Sequence, residues 1–218
     1  MKIFPSLISA DLLNLEKTIK LLNPHCDGYH IDIMDNHFVP NLTWGAQFVV
    51  AIATATTLPL DVHLMVDDPE PWINNLPLRQ GDIVSFHLES TLDALVIIKA
   101  IKEKGWLPGV ALSPKTSAQA ASAIFDMVHQ ITIMTVEPGF SGQRFMPEML
   151  DKIKAISAER TTKKFNFVLA VDGGVNKENI GELAQVGVDQ VAVATGIFGN
   201  KNIVTALQEL RNAAAKTA

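Results

Sequence analysis

Residues 28–34 read GYHIDIM and residues 60–66 read LDVHLMV, two short apolar, β-branched runs with a histidine inside each. Side chains of an extended strand alternate between its two faces, so His30 and Asp32 project to one side. If Ile31 and Ile33 face covering helices, the His–Asp pair faces an interior axis. Runs of the same kind recur along the chain: KIFPSLI (2–8), DIVSFHL (82–88), LPGVALS (107–113), ITIMTV (131–136), FVLAVDG (167–173) and DQVAVAT (189–195). Between them lie stretches such as ADLLNLEKTIKLL, TLDALVIIKAIKEKG, MPEMLDKIKAISAER and NKENIGELAQVG, whose apolar residues return at three- and four-residue intervals. That period lines one face of a helix. Ser9 or Asp11 is expected to cap the first helix, and Gly105 and Gly187 to end theirs.

Strands alternating with helices pair in parallel through right-handed crossovers. Strands that are apolar along most of their length suit a sheet covered outside and packed within. Eight such units favour closure, so the expected fold is α/β, a (β/α)8 barrel forming one domain over residues 1–218. No linker or low-complexity tract interrupts the series.

Composition excludes several classes of function. With 48% hydrophobic and 19% charged residues the chain has the material for a core rather than a disordered ensemble. A net charge of -5 offers nothing to nucleic acid or an acidic membrane surface. A phosphorylated ligand would therefore be held by local groups. Cys26 is the sole cysteine, which rules out an intrachain disulfide. The opening MKIFPSLISADLL lacks the apolar run of a secretory signal, and no stretch reaches the ~18 apolar residues of a membrane span. The expected compartment is the cytoplasm.

In a barrel of this kind the site forms where the strands finish. Polar residues gather there: Ser6, His30 with Asp32, His63, His87, Ser113, Glu137 and Asp172. A carboxylate within an apolar strand needs a cation or several donors. Two imidazoles and two carboxylates converging on one axis make a first shell for zinc, ferrous iron, manganese or cobalt. Met34, Met65 and Met134 also lie near strand ends, as adaptable core filler or as a soft, waterless floor beneath a flat intermediate. Gly139, Gly142, Gly173 and Gly174 make tight turns or expose backbone amides to an anion, and their placement after successive strands favours the anion. Asp35 is expected to support the ion site from behind, with a loop cap as its other reading. His25, His37 and His129 fall outside the series, and His87 takes no assigned role.

Taken in order, PSLISADL (5–12), HIDIMDNHFVPNLTWG (30–45), VHLMV (62–66), FHLE (86–89), MTVEPGFSGQRF (134–145) and VDGGV (171–175) resemble the ribulose-phosphate 3-epimerase family over almost the whole chain. The resemblance implies a barrel of the ribulose-phosphate-binding type. It also implies a metal held by His30, Asp32, His63 and Asp172, with Asp32 and Asp172 as the two acid/base residues. Ser6 and His63 would touch substrate near the metal, with the three methionines as a sulfur-lined floor. Gly139, Phe140, Ser141, Gly142 and Gln143, with Asp172, Gly173 and Gly174, would surround the substrate and its phosphate. At the eighth strand this chain has Ala194-Thr195 where the family commonly has Gly-Ser, so a methyl group stands near the phosphate grip. The ion implied is Fe2+ or Zn2+, with Mn2+ or Co2+ as further candidates, and the assembly implied is a dimer or hexamer.

The chemistry implied is inversion at C3 between D-ribulose 5-phosphate and D-xylulose 5-phosphate. Inversion beside a ketone removes a proton from one face and returns one to the other, which two opposed carboxylates accomplish. A rival within the same chemistry is an epimerase of another ketose phosphate, such as D-allulose 6-phosphate. Phosphate-gripping decarboxylases of similar barrels use an Asp-x-Lys-x-x-Asp run, and Asp32-Ile33-Met34-Asp35 has no lysine. A barrel that binds sugar phosphate without turnover would not need both acids and the full ligand set.

Overall fold

The computed structural model describes residues 1–216. Its eight strands are β1 (Lys2–Pro5), β2 (Tyr29–Met34), β3 (Leu60–Met65), β4 (Ile83–His87), β5 (Leu107–Leu112), β6 (Gln130–Met134), β7 (Val168–Asp172) and β8 (Gln190–Val193). They pair in parallel in one sheet of order β1-β8-β7-β6-β5-β4-β3-β2, the (β/α)8 arrangement expected from the repeat. The edges β1 and β2 meet through a single bridge between Ser6 and His30. At the other end of that seam Asp27 exchanges hydrogen bonds with Ile3, through its carboxylate at 2.8 Å and its amide at 3.2 Å.

Helices α1 (Leu15–Leu22), α2 (Ala46–Ala55), α3 (Glu70–Asn75), α4 (Ala94–Glu103), α5 (Met149–Lys163), α6 (Ile180–Gln185), α7 (Thr195–Phe198) and α8 (Ile203–Ala215) complete the layer. Two details differ from expectation. Asp11 caps a 3-10 turn at Leu12–Asn14 by accepting from the Leu13 amide, Ser9 caps nothing, and α1 begins only at Leu15. Between β5 and β6 the connection is a 3-10 helix, Ala118–Ile124, rather than an α-helix. Gly105 and Gly187 end α4 and α6 with φ of 78° and 91°, a conformation that side chains with a Cβ avoid.

Alternation sorts the strand residues cleanly. Tyr29, Ile31 and Ile33 of β2 and Leu60, Val62 and Leu64 of β3 pack into the core between sheet and helices. The opposite face of the same strands carries His30, Asp32, Met34, Asp61, His63 and Met65, all buried. The barrel interior is thus polar in its lower layers, where branched apolar residues usually dominate. Asp61 anchors that interior, accepting from Ser85 Oγ (3.2 Å), Gln130 Nε2 (3.0 Å) and Gln190 Nε2 (3.2 Å).

The turn after β7 shows how tightly the strand ends are built. Gly174 has φ of 65°, and a Cβ there would lie 2.3 Å from the Phe145 amide nitrogen. Gly174→Ala is therefore expected to cost roughly 3 kcal/mol of stability, read as a lowered midpoint in urea unfolding.

Candidate metal centre and pocket

Side chains from β2, β3 and β7 meet at one point. In register, Asp32 lies beside His63 and Met134 beside Asp172, and the closing bridge places Ser6 beside His30. His30 Nε2 stands 3.1 Å from Asp32 Oδ1 and 3.6 Å from Asp172 Oδ2. His63 Nδ1 stands 3.4 Å from each of the same two oxygens. One donor atom from each of the four residues lies within 4.8 Å of all the others.

A metal fits this set on chemical grounds. Two imidazole nitrogens and two carboxylate oxygens suit a borderline divalent cation. His63 Nδ1 is also buried without a hydrogen-bond partner, although two carboxylates flank it. A buried polar atom aimed at three other donors, and bonded to none, suits a metal ligand. The remaining atoms of the set are held from behind. Ser6 Oγ donates to Asp32 Oδ2 at 2.7 Å, and His30 Nδ1 lies 3.3 Å from Asp61 Oδ2. Such partners orient ligating side chains.

The electrostatics follow from this crowding. Burial alone would lower the pKa of His30, but Asp32, with Asp172 and Asp61, raises it well above the usual imidazole value. Burial likewise opposes a charge on His63, and the flanking carboxylates of Asp172 and Asp32 at 3.4 Å outweigh it and raise the value. Burial would raise Asp32 and Asp172, whereas the two imidazoles hold both carboxyls below the usual range. The cluster thus attracts positive charge to its centre, as protons on the imidazoles or as an ion in their place.

Above the cluster opens a pocket. It is lined by Ser6, Asp32, Asp172, the three methionines, Gly139, Phe140, Ser141, Gly142, Gln143, Gly173, Gly174, Ala194 and Thr195. Of the residues expected to surround a substrate, His63 alone lies outside this lining, fully buried beneath the two aspartates. Met34, Met65 and Met134 are each 2% exposed. The loop over one side is braced: Asn41 Nδ2 donates to the Gly139 carbonyl at 2.7 Å, and Gln143 Nε2 to the carbonyls of Glu137 and Phe140. Ala194 has φ of -95°, outside the region that favours glycine, so its methyl group imposes no left-handed strain on the turn.

Other candidates find different places. Asp35 takes the second of its two readings, a loop cap, in place of the favoured support of the ion site: its oxygens accept from the amides of His37, Phe38 and Asp67. Glu137 is exposed and pairs with Lys115 at 3.2 Å. His87 is fully buried with Nε2 3.0 Å from His63 Nε2, and burial pushes its pKa down to about 4. Its Nδ1 faces Glu89 and Ser113. The sequence reading missed Asp61 altogether and left His87 without a role. One signal was available: β2 reads His-x-Asp-x-Met, and β3 reads Asp-x-His-x-Met, so both acids share the inward register.

Comparison with known proteins agrees with this geometry. Residues 2–198 match the model of the ribulose-phosphate 3 epimerase family. The chain is 38% identical over 213 residues to a ribulose-phosphate 3-epimerase of Bacillus subtilis (strain 168), covering 97% of this chain and 98% of that protein. It is 36% identical over 216 residues to that of Escherichia coli (strain K12), covering 98% and 96%. Among solved structures it resembles KGPDC from Streptococcus mutans in complex with D-R5P, with a TM-score of 0.75 at 16% identity, covering 99% of this chain and 98% of that one. That likeness speaks to the fold. Match and geometry together establish that this chain belongs to the ribulose-phosphate 3-epimerase family.

Proposed function

We propose that this chain, acting as one barrel domain, interconverts D-ribulose 5-phosphate and D-xylulose 5-phosphate by inverting carbon 3. The observation that supports this most directly is the meeting of Asp32 and Asp172, from separate walls, at the floor of the pocket over a four-donor cluster. His30, His63, Asp32 and Asp172 would hold one divalent ion, Fe2+ or Zn2+ in first place. When bound, the ion supplies a Lewis acid that offsets the negative charge developing on the ketone oxygen and adjacent hydroxyl.

The rest of the work falls to side chains. Asp32 on β2 and Asp172 on β7 approach a substrate from different strands, three steps apart around the ring. One carboxylate takes the proton from carbon 3, leaving a flat ene-diolate, and the other, protonated, delivers its proton to the opposite face. Atoms balance: each turnover moves one proton off the sugar and one on, and the two aspartates exchange roles. The Ser6 hydroxyl fixes Asp32 by occupying Oδ2. The three methionines offer the flat intermediate a floor with no N–H or O–H to reprotonate it. Backbone amides around Gly139–Gln143, Gly173, Gly174 and Ala194–Thr195 receive the phosphate, which the acidic net charge of the chain would not attract by itself. A cytoplasmic, homo-oligomeric enzyme is the reading that goes with this activity, and no helix among the described residues is long and apolar enough to cross a membrane.

The deciding experiment measures turnover of ribulose 5-phosphate and allulose 6-phosphate side by side on metal-loaded protein. The pentulose phosphate is expected to be preferred by at least about tenfold in kcat/KM, on the order of one misfitted group in a polar pocket. The reverse preference would replace the substrate and keep the chemistry.

A further inference from the structure

We propose that His87 and Glu89 form a positioning relay that fixes the tautomer and ring orientation of His63, so that its Nδ1 lone pair faces the ion site. The inference rests on the metal-holding reading above and concerns two residues to which that reading gives no part.

A proton count along one line of atoms fixes the tautomers. His63 Nε2 and His87 Nε2 are 3.0 Å apart. Two ring nitrogens at that distance share one proton, so one donates and the other accepts. At the far side of His87, Nδ1 lies 3.2 Å from Glu89 Oε2 and 3.2 Å from Ser113 Oγ. An ionised carboxylate only accepts. Glu89 is kept ionised: burial would raise its pKa, but hydrogen bonds from His87, Thr116 and the Ser113 amide hold it at about 2. His87 therefore carries its proton on Nδ1, and its Nε2 accepts. His63 then carries its proton on Nε2, which leaves Nδ1 as the lone-pair atom between Asp32 and Asp172.

The surroundings hold the rings in this arrangement. The two imidazoles are 20° from parallel with centroids 5.0 Å apart, and Phe38 packs against His87 at 4.7 Å. Neither histidine is exposed, so water cannot replace the missing partner if one is removed. His30 is served differently, by the buried Asp61 carboxylate at its Nδ1. The two ligating imidazoles are thus oriented by unlike partners, a carboxylate directly for one and a carboxylate acting through a second imidazole for the other.

The test titrates Co2+ into metal-free protein and follows its d–d absorption, for native protein, H87L, H87Q and E89L, with turnover measured at saturating Co2+. Removing an orienting partner of this kind lowers metal affinity about 10- to 100-fold, and H87L is expected to fall in that range. H87Q retains a carbonyl oxygen able to accept from His63 Nε2 and is expected to bind within roughly threefold of native. Turnover of H87L should recover at saturating Co2+, because the relay places a ligand and touches no reacting atom. Equal Co2+ affinity in native protein and H87L would overturn the relay while leaving the metal site standing. If native protein itself binds no Co2+, the metal reading falls and the relay with it. Should H87L fail to fold, E89L, which leaves no acceptor at that position, decides: weakened affinity supports the relay and native affinity overturns it.

Discussion

Asp172→Asn is expected to lower turnover of ribulose 5-phosphate by roughly a thousandfold or more, with a native circular dichroism spectrum. The side chain keeps its size, so β7 and its pairing with Met134 have no steric reason to change. What it loses is the ability to take or give a proton, and the negative charge that His30 and His63 face at 3.6 and 3.4 Å. In a scheme with an acid on each side of carbon 3, the remaining Asp32 can serve one face only, so inversion stops even where proton exchange at that face continues. An unchanged rate would contradict the two-carboxylate scheme.

Chelation is the second large effect. Stripping the ion is expected to lower activity by more than about 100-fold, and adding back single divalent ions should restore it to different degrees. The reloading depends on pH in a direction set by the cluster. The folded-state pKa values of His30 and His63 are both raised. In ion-free protein the stabilisation from their protonation is therefore complete below the unfolded value near 6.5 and is lost as pH rises through the raised folded values. An incoming ion must displace those protons, so apparent affinity should climb with pH across that range and level off above it. Isothermal titration with Co2+ between pH 6 and 8.5 checks the slope. Affinity that rises as pH falls would mean that the imidazoles are not the ligands.

Much of this centre was legible in the chain because two periods coincide. The alternation in GYHIDIM separates His30 and Asp32 from Ile31 and Ile33, and the structure places the isoleucines against helices and the polar pair inside. Asp61 escaped because it is only the second residue of its strand, where an acid reads as part of the preceding turn, and its partners Gln130 and Gln190 lie 69 and 129 residues away. The role of His87 was hidden for a related reason. A proton relay depends on which nitrogen faces which, and only the packing of β4 against β3 determines that. The late start of α1 has a local cause: the Asp11 carboxylate satisfies the Leu13 amide and winds a 3-10 turn first.

The seam between β1 and β2 carries a last consequence. A ring fastened there by one bridge and an aspartate clasp has its weakest stitch between Ser6 and His30, beside the four donors. Whatever draws His30 and Asp32 inward also tightens the hoop. Cargo at the centre and closure of the wall should rise and fall together, with the β1 amides exchanging deuterium faster in stripped protein than in loaded protein and the β4–β6 amides indifferent to the change.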